Sequence, residues 1–250
     1  MLLTDSNDGI TSIRFDRAEK RNALTPDMLA ALRDAVAAAS VASRVIVLGG
    51  EGESFCAGFD LSLCRGNERG LDDLLRGLFD AVAALRRSPC PVVVAAHGAA
   101  IAGGCALLGG ADFVITNSGA KFGYPVVRLG ISPAVTAPFL REFAGDGGAR
   151  ALLLEGLIIT GHDAWQIGLA SDCVDQAQDV WPRAEQIARG LAAKPAPGLR
   201  ATRRWLDELS QAELTNRAPT MTERAGLEAS LSVAGNAESR ARLARLWEKP

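Results

Sequence analysis

The chain has 250 residues, 48% of them hydrophobic and 22% charged, with a formal net charge of −2. That length supports one large buried core, and the slight acidity excludes a general nucleic-acid binder. The five cysteines (Cys56, Cys64, Cys90, Cys105, Cys173) form no Cys-x-x-Cys pair, and His97 and His162 are the only histidines, so reduced, mostly buried thiols are expected and a metal site is not.

The segment Met1 to Asp8 carries neither the basic region nor the apolar stretch of a signal peptide. No run approaches the ~20 apolar residues of a membrane helix. A cytoplasmic protein with no membrane partner is the expectation. Ile10 to Phe15 reads as a strand. Thr25-Pro26-Asp27 opens a helix: Thr suits the N-cap, Pro the first helical position and Asp the positive end. Met28, Leu29, Leu32 and Val36 then recur on one face. Arg44 to Leu48 is a buried strand, and residues 62–70 are loop-like. Leu71, Leu74, Leu75, Leu78 and Val82 mark a helix over 71–87 that ends before Pro89. Val92 to Ala96 is the next buried strand. A turn and helix start at Gly103, and a strand follows over Asp112 to Thr116.

From about residue 145 the pattern turns helical, with short helices over Ala149 to Leu154 and Gly161 to Ile167 and another over Pro182 to Leu191. Lys194 to Gly198 is a Pro/Gly break, and helices continue from Leu199 to Trp247. Strands alternating with helices imply an α/β core.

Two segments carry chemistry. Phe55-Cys56-Ala57-Gly58-Phe59-Asp60 and the stretch Ala99 to Ala106 each follow an apolar run, Val45 to Leu48 and Val92 to Ala96. Small residues let the backbone turn there with its N–H groups exposed. The second segment runs into Cys105 to Leu108, a helix start that aims orphan N–H groups and a positive dipole end at the turn. Two such N–H groups converging on one point make an oxyanion hole. That predicts chemistry on a carbonyl whose oxygen gains negative charge. Taken alone, Gly103-Gly104 after a strand is more often close packing than catalysis. No Gly-x-Gly-x-x-Gly follows a strand, which disfavours a nicotinamide-dependent enzyme.

Further blocks set these segments in context: Asp16 to Leu24, His97-Gly98 through Gly104, Ala111 to Ile115, Ala120 to Pro125, Leu129-Gly130-Ile131 and Gly168 to Val174. In this order and spacing they resemble the crotonase superfamily, the enoyl-CoA hydratase/isomerase family, over most of the chain. The resemblance implies an α/β fold: a spiral of β-β-α units over 1–195 with a C-terminal helical region over 196–250, acting as a single functional unit. It also implies an acyl-CoA thioester as partner, no cofactor beyond its CoA moiety, homotrimers or dimers of trimers, and lyase or isomerase chemistry in fatty acid metabolism.

Carried over residue by residue, the resemblance places the two oxyanion donors at the N–H groups of Phe59 and Gly103. Ala102 stands where the family has the first of three glycines, a mild departure that leaves the Gly103 N–H in place. CoA-binding positions fall at Arg17, Lys20, Arg21, Ala23, Ala57, Phe59 and Leu61. Read without the family, Arg17, Lys20 and Arg21 form a polar loop after a strand, solvated or able to meet phosphates.

The acid/base positions depart from the family. The two hydratase glutamates fall at Ala106 and Val126, and the aspartate of some isomerases and hydrolases falls at Ala134. Hydration needs one group to activate water and another to deliver a proton, and Ala and Val do neither. Remaining polar candidates are Tyr124, Asp60 and Ser132. Each has a competing structural role: core packing for Tyr124, backbone bonding for Asp60 and a turn before Pro133 for Ser132. His97 reads as a satisfied core histidine and Cys105 as a buried small residue. Two readings stay open: an enzyme that stabilises an acyl-CoA enolate, by decarboxylation, double-bond migration, thioester hydrolysis or substrate-assisted hydration, or a non-catalytic acyl-CoA-binding pseudoenzyme or scaffold.

Overall fold

A computed structural model describes residues 1–67, 69–217, 223–234 and 237–245. Asp8 and Gly9, with φ of 50° and 76°, turn strand β1 (Leu2–Asn7) back onto β2 (Ile10–Phe15) as an antiparallel hairpin. Helix α1 (Pro26–Ala42) follows; Thr25 caps it by accepting a hydrogen bond from the Met28 N–H at 3.2 Å. Next come β3 (Val45–Gly50), α2 (Gly70–Arg87), β4 (Val92–Ala96), β5 (Ala99–Ile101), α3 (Gly103–Leu107), β6 (Phe113–Asn117) and β7 (Lys121–Gly123). The second half holds α4 (Ala137–Glu155), β8 (Ile158–Thr160), α5 (Gly161–Gln166), β9 (Asp172–Val174), α6 (Ala177–Ala192), α7 (Ala196–Arg217), α8 (Glu223–Ala234) and α9 (Ala237–Ala244).

The strands form two sheets. The larger runs β1-β2-β3-β4-β6-β9 and is parallel throughout except for the β1–β2 hairpin. The smaller runs β5-β7-β8. A bridge between Cys56 and Ala100 extends the small sheet by one residue toward the N-terminal half. The chain therefore repeats one path: a strand in the large sheet, a short extended piece in the small one, then a turn into helix. β3–Cys56–α2 is one such unit, and β4–β5–α3 is the next. β6–β7 enters a third, whose turn contains Tyr124. This is the expected spiral, and it puts equivalent turns of successive units side by side.

Alternate side chains divide the core. Ile46, Leu48, Val92 and Val94 pack with α1, α2 and α3 on one face of the large sheet, while Val45, Val47, Val93 and Ala95 pack under Val180, Ala184 and Ala188 of α6 on the other. A third apolar cluster joins Leu71 and Leu75 of α2, Ile131, Val135 and Leu227 of α8 to Phe59, Leu61 and Val126.

Several expectations shift. β1, β5, β7, β8 and β9 have no counterpart in the sequence reading. The short helix expected over Ala149 to Leu154 is the end of a longer one that starts at Ala137 and breaks its helical geometry at Gly145, where φ is 68° and ψ 173°. α6 begins at Ala177 with Pro182 inside it; burial of Val180 against the sheet holds its first turn helical ahead of the proline. The Pro/Gly break ends earlier than expected, because Ala196 already starts α7 with Pro197 in its first turn. Trp247, the expected end of the helical region, lies outside the described residues. Among the described residues no helix is long and apolar enough to cross a membrane.

Candidate active site

The first turn of the site is built by hydrogen bonds to a neighbouring loop. Leu24 donates to the Gly58 carbonyl at 2.7 Å and accepts from the Asp60 N–H at 2.9 Å, while the Ala57 N–H donates to the Arg21 carbonyl at 2.9 Å. A parallel bridge of this kind uses the groups on either side of Phe59 and turns the Phe59 N–H to the opposite side. Gly58 makes the turn with φ +100°, and a Cβ there would lie 3.0 Å from the Ile101 carbonyl oxygen and 3.8 Å from the Gly103 nitrogen. The two turns are thus in direct contact.

Gly103 is the first residue of α3, so its N–H has no partner within the helix. Its φ is unexceptional; glycine is required for space. A Cβ would sit 3.0 Å from Cε1 of Phe59 and 3.1 Å from Cδ1 of Leu24. Gly104 is a packing glycine, since its Cβ would come within 3.0 Å of the Cys56 Cβ and carbonyl oxygen. Among the described residues no acceptor takes the N–H of Phe59 or of Gly103.

Ala102 carries more strain than a mild departure suggests. It has φ 50° and ψ −109°, a region that L-residues seldom occupy. Its N–H donates to the Gly123 carbonyl at 2.8 Å and its carbonyl accepts from the Ala106 N–H at 2.9 Å, so it is held from both sides.

The residues expected to meet CoA lie in the loop bonded to the Phe59 turn, where the Arg21 carbonyl accepts from the Ala57 N–H. Lys20 and Arg21 are exposed and form no ion pair among the described residues. Arg17 differs. Its Nη1 donates to the Ala23 carbonyl at 2.9 Å and its Nη2 to the Asp60 carboxylate at 2.7 Å, so its charge is spent inside the protein. Asp60 also accepts bonds from the Ser62 N–H and hydroxyl, capping the turn that begins at Leu61. Burial raises the Asp60 pKa, but the bonds from Ser62 and Arg17 and the Arg17 charge outweigh it and hold the carboxyl below its ordinary value.

One residue that the sequence reading did not single out fixes the loop. Asn22 is fully buried with φ 55°. Its Nδ2 donates to the Glu51 and Ser54 carbonyls, both at 2.8 Å, and its Oδ1 accepts from the Arg17 N–H at 2.9 Å. An Asn inside a charged loop was the available signal, because Asn tolerates the left-handed region and bonds backbone.

The remaining candidates separate. Tyr124 is buried, and burial drives its pKa well above the ordinary 10. Burial likewise pushes Cys105 up to about 12, so neither is ionised near neutrality. Ser132 is held through its carbonyl, which accepts from the Ser230 hydroxyl at 2.9 Å. His97 is half-buried, not a core residue, and its Nε2 meets the Gly52 carbonyl at 2.9 Å. Among the vacated acid positions, Ala106 is buried in the main core, Val126 packs in the Phe59 cluster, and Ala134 lines an apolar cleft of about 350 Å³ with Ile131 and Ser132. A larger cleft of about 560 Å³ lies away from these residues, between the end of α2 and α7. Among the described residues no group of three His, Cys, Asp or Glu side chains could hold a metal.

Comparison with known proteins agrees with this architecture. The sequence profile of the enoyl-CoA hydratase/isomerase family matches residues 5–232. The crotonyl-CoA hydratase of Syntrophomonas wolfei is 29% identical over 221 residues, covering 85% of this chain and 84% of that one. An enoyl-CoA hydratase of Alternaria alternata is 31% identical over 224 residues, covering 86% and 76%. The crystal structure of an enoyl-CoA hydratase/isomerase from Xanthobacter autotrophicus Py2 superposes with a TM-score of 0.88 at 26% identity, covering 99% of this chain and 93% of that chain. With paired backbone turns at the meeting of successive units and a profile match over nearly its whole length, the chain belongs to the enoyl-CoA hydratase/isomerase family.

Proposed function

We propose that the chain is an acyl-CoA enzyme that holds its substrate's thioester oxygen on the N–H groups of Phe59 and Gly103 and stabilises the enolate formed there. The observation that carries this reading is two unpartnered N–H groups, of Phe59 and Gly103, on turns of adjacent units that touch, with the Phe59 ring against Gly103. Donors fixed before the reaction stabilise developing charge without reorganising. Lys20 and Arg21, exposed beside the turn, are the cations placed to meet CoA phosphates.

The acyl chain beyond the reacting carbons is apolar in this reading, because the surroundings of Phe59 are Leu61, Val126, Ile131 and Val135. Decarboxylation asks least of such a site. The bond from the α-carbon to the departing carboxylate breaks, its electron pair enters the thioester as an enolate, the two N–H groups hold the enolate oxygen, and a proton from water completes the α-carbon. No protein carboxylate takes part. The names of the relatives pull toward hydration instead, and hydration needs an acid and a base that Ala106, Val126 and Ala134 cannot supply.

Assembly into trimers belongs to the same reading and is supported by Trp205 and Leu206 on α7, which stand 60% and 58% exposed in the isolated chain. Light scattering on the purified protein tests it. The chemical reading is tested with a panel of acyl-CoA thioesters in which binding and turnover are measured in parallel. Binding with loss of carbon dioxide from an α-carboxyacyl-CoA supports it. Binding with no turnover on any thioester supports the pseudoenzyme.

A further inference from the structure

One contact beside the site runs against expectation. Arg17 sits in the loop expected to meet CoA phosphates, yet its guanidinium faces inward. It is 22% exposed and Asp60 only 13%. One guanidinium edge binds the Ala23 carbonyl and the other the Asp60 carboxylate, and Nε lies 3.9 Å from Glu19. Two of its five N–H donors are spent on these bonds, and the side chain that carries the rest is mostly buried.

The consequence falls on Phe59. Asp60 follows it directly, and the backbone of Asp60 is already tied to Leu24. The Arg17 fork therefore spans the two residues flanking Leu24 and Phe59 on the paired strands: Ala23 on one side and Asp60 on the other. A planar fork with two fixed bonds sets orientation as well as distance. We infer that Arg17 and Asp60 are a positioning pair that aims the Phe59 N–H at the thioester oxygen, and that Arg17 is not a phosphate ligand. The inference rests on the proposed oxyanion hole and adds the device that orients one of its two donors.

The test reads the carbonyl directly, with crotonyl-CoA carbon-13-labelled at the thioester carbonyl as the probe. Difference infrared spectroscopy of the bound probe reports how strongly donors polarise that bond. Free-CoA affinity, measured by calorimetry, reports the phosphate contacts. Wild type is expected to shift the carbonyl band to lower frequency. Asp60→Asn and Arg17→Met should each return the band toward its free position while CoA affinity stays at the wild-type value. Arg17→Lys, which keeps the charge but not the fork, should fall between. A merely structural pair would leave the band of the folded variants where it is in wild type, and that result overturns the inference. So does a loss of CoA affinity in Arg17→Met that Asp60→Asn does not share. If wild type itself shows no band shift, the oxyanion reading fails first, and this inference goes with it. Should Arg17→Met not fold, Asp60→Asn alone decides, because it nearly preserves volume.

Discussion

Replacing Ala102 with glycine should stabilise the protein, although glycine usually weakens a fold. Ala102 is held at φ 50° and ψ −109° by bonds to Gly123 and Ala106. A non-glycine residue in so sparse a region costs on the order of 1–3 kcal/mol. Against this gain, glycine loses about 0.4–1 kcal/mol through the greater freedom of the unfolded chain. The lost methyl is only half-buried, so its burial is worth less than the ~0.8 kcal/mol of a fully buried CH₂. The balance is about 1 kcal/mol in favour of glycine, or roughly 2–4 °C in a chain of this size. Scanning calorimetry of both proteins at one concentration measures it. A melting temperature lowered by the substitution would refute the strain argument and mean that the methyl packs better than its conformation costs.

Three further outcomes follow from the same geometry. Lys20→Ala and Arg21→Ala should each weaken CoA binding by a fraction of a kcal/mol to about 2 kcal/mol, read by calorimetry; unchanged affinity in both would remove them from the CoA site. Gly103→Pro deletes one donor while keeping a residue allowed at the first helical position, and should lower turnover by about 10²–10³-fold; circular dichroism must confirm folding, since the ring presses on Phe59. Asp60 has its pKa lowered in the folded state, so its contribution to stability is present above its unfolded value of about 4 and is lost as pH falls through the folded value. Denaturant titrations of wild type and Asp60→Asn should therefore differ most near neutrality and converge in acid, and a gap that widens in acid contradicts the assigned sign.

Much of the fold was legible because long elements carry long signals. The stripe through Leu71, Leu74, Leu75 and Leu78 and the apolar run Val92 to Ala96 mark α2 and β4 directly. The strands β5, β7, β8 and β9 have three residues each, too few for any period to declare itself, and β5, β7 and β8 are defined by pairing partners distant in sequence. β1 was missed because its residues are mostly exposed and polar, so no apolar alternation marks it. In the site, the positions of Phe59 and Gly103 could be read from the family pattern. Their contact could not, because it arises from two turns some forty residues apart stacking across the spiral. The roles of Arg17 and Asp60 were hidden for a related reason. Sequence shows a cation in a loop, and only the fold shows that its anion lies beside the proposed donor.

Under the proposed reading this site stabilises an enolate without protein carboxylates. Mass spectrometry of the thioester products, with crotonyl-CoA and methylmalonyl-CoA given to the same enzyme preparation, tests it most directly. General acid–base assistance is worth about 10²–10⁴-fold per positioned group, so crotonyl-CoA should gain water very slowly or not at all, while methylmalonyl-CoA loses carbon dioxide to give propionyl-CoA. Rapid hydration of crotonyl-CoA with methylmalonyl-CoA left intact would contradict the account and require an acid and a base beyond Ala106, Val126 and Ala134.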